Sequence, residues 1–251
     1  MRSTPGRSSP RVPAPTVAEP NSPGSRAPAA APDSIGPTEF GAAIIVAGCR
    51  LIAARDELCE LDARAGDGDL GVTLATGYTK VIERIEASPA EGIGPLLILI
   101  GRELARSAPS TMGTLLATSY LRAGATLAGA ATIDSSGFAV MLEAMAANVA
   151  ERGRVTVGQR TALDAMRSAA DAAATATGQG RGLVETSSAA AEAARLGSER
   201  TAGMEAQVGR AGWIADRARG APDAGAVAWA IFLAGLADGL AGVLEPDPGR
   251  G

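Results

Sequence analysis

Apolar residues recur at helical spacing over residues 40–61, and Pro37, Thr38 and Glu39 ahead of them form a helix-start signal. The same periodicity predicts further helices over residues 72–87, 93–106, 111–127, 136–150, 160–174, 183–201 and 225–243. The breaks between them hold Gly, Pro or Asp, as at Ser88-Pro89, Ala108-Pro109, Ala128-Gly129, Gly153, Gly178-Gln179-Gly180 and Gly220-Ala221-Pro222. The pattern predicts an all-α bundle of about eight helices, with no convincing strand. No internal repeat of fixed period is present.

Composition supports that reading. The chain has 251 residues, 46% hydrophobic but only 3% aromatic, so the core must come from Ala, Leu, Ile, Val and Met. Small apolar side chains let helices approach closely, and Ala has the highest helix propensity. Residues 1–36 are a different material, with eight of the fifteen prolines and four arginines among Ser, Ala and Gly. They cannot bury enough apolar surface to offset their chain entropy, so a disordered extension or linker is expected, with a transit peptide as the sharper alternative. The expected organisation is this extension, a helical domain over 37–245 and a flexible C-terminus over 246–251.

Charge narrows the partners. Lys and Arg number 23 against 27 Asp and Glu, a formal charge of −4, and Lys80 is the one lysine. Without a basic face or aromatic stacking platforms, no nucleic acid partner is expected. No stretch reads as a signal segment or as a membrane span of about 20 apolar residues, the longest candidate lying near residues 95–100. Cys49 and Cys59 fall in one predicted helix, about 15 Å apart by helical rise, too far for a disulfide. Two unpaired thiols point to a reducing, cytoplasmic setting.

Candidate chemistry concentrates in "LDARAGDGDLGVTLATG", where Asp62, Asp67 and Asp69 crowd a turn opened by Gly66, Gly68 and Gly71. Like charges that close repel and call for a positive partner. Convergent carboxylates suit Mg²⁺, which shares its coordination shell with phosphate oxygens. The start of the next helix, near Gly71 to Thr73, offers N–H groups and a positive dipole end to a phosphate. An EF-hand fails, because its fifth and twelfth positions counted from Asp67 are Gly71 and Tyr78, and Lys80 has no Walker context. A solvated Asp-Gly turn remains the competing reading.

The spacing D-x4-D-x-D in "LDARAGDGDLG", followed in order by "GRVTVGQRTALDAM" and "VGRAGWIADRARGAPDAGA", resembles the L subunit of dihydroxyacetone kinases (the DhaL family), the nucleotide-binding domain of dihydroxyacetone or glycerone kinases. The resemblance covers most of residues 38–243. It implies a barrel of eight antiparallel helices with ADP or ATP at one mouth, and two Mg²⁺ ions held by Asp62, Asp67 and Asp69. Carried over by position, Leu70, Gly71, Val72 and Thr73 would meet the phosphates through backbone amides, and Ser110 and Thr111 would form a phosphate turn at the fourth predicted helix. Gly153 and Ala162 would line the base pocket. Arg210 matches the arginine of a GRA motif, and Asp223, Ala224 and Gly225 match a DPG turn. Each also has a plainer reading: Ser110 and Thr111 as an N-cap pair, Arg210 as a solvated arginine, Asp223 as a turn residue or cap.

The chain departs from the family where Leu70 replaces the usual His and where the phosphate turns read "SAPSTMGTLL" and Asp223-Ala224-Gly225. It contains no histidine. In the family a histidine of a separate K-type subunit or domain holds the keto-sugar covalently, so the resemblance implies half an enzyme of glycerol metabolism that supplies the phosphoryl group to a sugar on a K-type partner. A phosphotransferase protein as phosphoryl donor and a homodimer are further partners that the resemblance admits. Two other readings stay open: a non-catalytic nucleotide-sensing module that docks a transcription factor or enzyme, and a helical scaffold binding neither metal nor nucleotide.

Overall fold

Nine α-helices, a 3-10 turn and one two-residue ladder make up the described residues of the computed structural model, which are Met1, 34–208 and 220–245. The helices are α1 (Pro37–Ala53), α2 (Arg55–Ala63), α3 (Leu70–Ala87), α4 (Ile93–Ser107), α5 (Thr111–Thr126), α6 (Ser135–Gly153), α7 (Ala162–Gly178), α8 (Leu183–Arg200) and α9 (Ala224–Leu244). The expected extension falls, up to residue 33, outside the described residues, and so does the expected C-terminus over 246–251. Ordered structure precedes Pro37: β1 (Ser34–Ile35) pairs antiparallel with β2 (Ile133–Asp134), and Ile35 is buried. Two residues are too short a run for alternation to reveal.

Packing follows a closed ring. α1 packs on α3, α3 on α4, and so on through α8 to α9, which returns to α1. That is the all-α barrel of eight antiparallel helices, with α2 as a short spur against α3. The helix expected over 40–61 is two helices, because the chain bends by 56° at Ala54. No Gly or Pro marks the bend, and apolar spacing continues through it, so the pattern alone reads straight.

Close approach of helices closes the ring. A Cβ on Gly235 would lie 2.7 Å from the Ala47 Cα, and one on Gly239 2.6 Å from the Ala43 Cα, so α9 and α1 touch backbone to backbone. Arg50 and Asp238 pair across the same seam. Inside, Phe232 of α9 stacks on Trp229 at 5.6 Å and meets Tyr78 of α3 at 5.5 Å and Tyr120 of α5 at 6.4 Å. The two buried tyrosine hydroxyls share a 3.0 Å hydrogen bond, and burial raises both phenol pKa values. One polar contact thus satisfies two groups that would otherwise be costly inside.

α9 corrects the expectation of no membrane-length segment: its 21 residues are long and apolar enough to cross a bilayer by length and composition. It packs instead against α1, α8 and α7, and a helix apolar on most sides is what a core position requires. Cys49 and Cys59 are free thiols, but they lie in α1 and α2 and not in the one continuous helix expected.

Candidate functional site

Asp62 sits in the last turn of α2, and the loop after it folds back over its carboxylate. Oδ2 of Asp62 accepts from the amides of Gly68 at 2.9 Å, Asp69 at 3.1 Å and Leu70 at 3.4 Å. Gly68 has φ of 78°, a left-handed conformation that costs glycine nothing. Gly71 is required for a different reason: a Cβ there would lie 1.9 Å from the Arg55 carbonyl oxygen. α3 therefore starts flush against the start of α2, with Asp69 at its N-cap. One oxygen from each of Asp62, Asp67 and Asp69 lies within 4.8 Å of the others. This oxygen-only set fits a hard divalent cation. Asp62 engages the loop amides through Oδ2.

The acidic loop forms one wall of a cavity of about 630 Å³. In an antiparallel barrel every second helix begins at the same mouth, and the starts of α3, α5, α7 and α9 all line this cavity. Three carry side-chain caps. Ser110 accepts from the Gly113 amide at 3.0 Å, Thr161 from the Leu163 amide at 3.2 Å, and Asp223 from the Ala226 amide at 2.8 Å. Four positive dipole ends thus surround a cluster of carboxylates, which suits anions bridged by cations. Leu115, Val149, Val155 and Ala162 add an apolar part to the lining.

Asp62, Asp67, Asp69, Leu70, Ser110, Thr111, Gly153, Ala162, Asp223, Ala224 and Gly225 all line this one cavity. Residues far apart in sequence are thereby brought together. Gly71, Val72 and Thr73 are not among the lining residues: Gly71 is buried under α2, the Val72 side chain is exposed, and the Thr73 amide donates to the Asp69 carbonyl at 2.9 Å. Arg210 lies outside the described residues. Leu70 is buried and offers no side-chain donor.

Sequence reasoning missed Arg160 and Asp164. Both are buried, and Arg160 lines the cavity with a left-handed φ of 61°. Asp164 closes a capping box with Thr161, a T-x-x-D pattern visible in the sequence. Burial pushes the Asp223 carboxyl up to about 6; the Ala226 amide and Arg160 pull it down, while Asp164 and Asp62 add to the rise. Asp223 therefore feels the acidic loop across the cavity.

An all-α barrel with an acidic loop and four helix N-termini at one mouth defines the class. The chain belongs to the DAK2 domain family, whose model matches residues 64–238. It is 27% identical over 180 residues to the "PEP-dependent dihydroxyacetone kinase, ADP-binding subunit DhaL" of Escherichia coli (strain K12), covering 72% of this chain and 86% of that one. It is 31% identical over 206 residues to the D-erythrulose kinase of Mycolicibacterium smegmatis, covering 76% of this chain and 36% of the relative. The chain thus spans about a third of the length of that kinase and of the tomato and human relatives that it matches similarly. In fold it resembles the crystal structure of the dihydroxyacetone kinase from C. freundii in complex with AMP-PNP and Mg²⁺, with a TM-score of 0.63 and 24% identity over 90% of this chain and 38% of that one.

Proposed function

We propose that this chain is the nucleotide-binding unit of a dihydroxyacetone-type kinase, binding ADP or ATP with two Mg²⁺ ions and passing a phosphoryl group to a sugar on a K-type partner. The observation that carries the reading is the convergence of three carboxylates and four helix N-termini on one cavity. Asp62, Asp67 and Asp69 would hold the cations, whose charge neutralises the phosphates. Leu70, Gly71, Val72 and Thr73 contribute the first amides of α3, and Ser110 and Thr111 those of α5. Gly153 and Ala162 belong to the wall against which a base would lie, and the Asp223, Ala224 and Gly225 turn presents the start of α9. Arg210 is assigned to the nucleotide on family grounds alone. Phosphoryl transfer needs positioning and charge neutralisation more than a protein nucleophile, so the three aspartates are binding groups here.

The sequence supplies no histidine, so a separate K-type subunit or domain would hold the keto-sugar. The E. coli relative is named a PEP-dependent kinase subunit, and a phosphotransferase donor that recharges bound ADP is the corresponding proposal here. A helical unit over 37–245 and a cytoplasmic location belong to the same reading. Calorimetry with Mg-ADP on wild type and Asp67→Ala tests it: micromolar or tighter binding lost in the variant is expected, and equal affinities refute it. Leu70 in place of a phosphate-donating His favours a second reading, a nucleotide-sensing regulator. A coupled assay with a K-type partner separates the two, since a regulator binds nucleotide and transfers nothing.

A further inference from the structure

We propose that Arg160 is a positioning residue: its guanidinium straps the turn ahead of α9 to the loop between α6 and α7, and so fixes where the α9 amides stand at the cavity. Its Nη2 donates to the Ala221 carbonyl at 2.7 Å, bridging 61 residues of sequence. Among the described residues Arg160 is the one buried cation, at 5% exposure. Burying a guanidinium in a left-handed backbone is unfavourable twice over, and an apolar residue would fill the space more cheaply.

The loop that carries Arg160 is itself anchored. Asp164, also buried, accepts from the Gly158 amide at 2.6 Å and from the Thr161 amide at 2.8 Å, which holds the left-handed turn in shape. From the other side, the Asp223 amide donates to Thr201 at 2.8 Å, and Thr201 is fully buried at the end of α8. The turn of Ala221, Pro222 and Asp223 is thus clamped between Arg160 and Thr201. Both clamps act on backbone atoms, so they set the position of the helix start and not merely its charge. The Ala224 and Gly225 positions behind the turn line the cavity.

The inference rests on the nucleotide reading for its consequence but not for its geometry, and amide hydrogen exchange of the nucleotide-free chain reads the geometry directly. Arg160→Met should speed exchange at the Asp223 and Ala226 amides about tenfold or more, with α4 unchanged. Mg-ADP affinity should fall by a similar factor, with Arg160→Lys between, since lysine keeps the charge and loses the planar fork. The Asp223 carboxyl, followed by NMR titration, adds a signed readout: losing the Arg160 charge beside Asp164 and Asp62 raises its pKa further, whereas general loosening that admits water lowers it, because burial is the largest cause of its rise. Unchanged exchange at those two amides overturns the inference. A wild type that fails to bind Mg-ADP overturns the nucleotide reading instead, and exchange still decides the strap. Should Arg160→Met not fold, Arg160→Lys carries the same exchange test with the same two outcomes.

Discussion

Gly71→Ala places a methyl carbon 1.9 Å from the Arg55 carbonyl oxygen, 2.8 Å from its carbon and 2.9 Å from Cys59 Sγ. The first of these is more than an ångström short of ordinary contact, and the obstacle is backbone, which no rotamer change can move. Either α2, which carries the Asp62 carboxylate, or the start of α3, which carries the Leu70 amide bonded to it, must shift. Overpacking of this kind costs about 3 kcal/mol. For a domain of this size that lowers Tm by roughly 6–12 °C. The same shift should weaken Mg-ADP binding by more than tenfold, because the carboxylate cluster loses its geometry. Calorimetric unfolding and titration with Mg-ADP measure the two effects, and Gly129→Ala is the matched control, since nothing lies within 4 Å of its new methyl group. A Gly71→Ala protein with wild-type Tm and wild-type affinity would refute the corner geometry described above.

Asp62→Ala removes the acceptor of three amides and should cost about 2 kcal/mol, whereas Asp62→Asn retains an acceptor oxygen and should cost less than about 1 kcal/mol; urea unfolding separates them, and both should lose any Mg²⁺-dependent thermal shift. Asp223 has a folded-state pKa raised from 3.8 to about 6, so its ionisation opposes folding as pH rises through that window. Asp223→Asn, which can still cap α9, should accordingly raise stability by about 2 kcal/mol at pH 7.5 and leave it little changed at pH 4, measured by Tm at the two values. Tyr78→Phe or Tyr120→Phe alone orphans the other buried hydroxyl and should cost about 1–2 kcal/mol, while the double variant should cost less than the sum; a double-mutant cycle in urea reads the coupling.

How much of this was legible in the sequence depends on the kind of signal. Seven of the predicted helices appear within a few residues of their places, because Gly, Pro and capping residues such as Ser110 and Asp223 punctuate them. The D-x4-D-x-D spacing already implied that the carboxylates converge. The bend at Ala54 was not legible, since a helix can turn at an alanine when tertiary contacts demand it. Nor was the β1–β2 ladder, two residues long. Leu70 to Thr73 were expected to act through backbone amides; of these residues Leu70 lines the cavity, and the Val72 side chain is exposed. Arg160 was invisible for a reason of composition: one arginine among twenty-two carries no mark until the fold buries it.

The seam where α1 meets α9 joins the first described helix to the last, with glycine against alanine and no room for a larger side chain. A ribosome delivers α1 long before α9, so the apolar face of α1 has no permanent neighbour on that side until about 180 more residues have emerged. Loop closure over that distance is slow compared with forming the neighbouring pairs α4–α5 or α7–α8. Completion of the ring, and with it the mouth where four helices begin, should therefore be the last event of folding, and a nascent chain stalled before α9 is the form most exposed to aggregation.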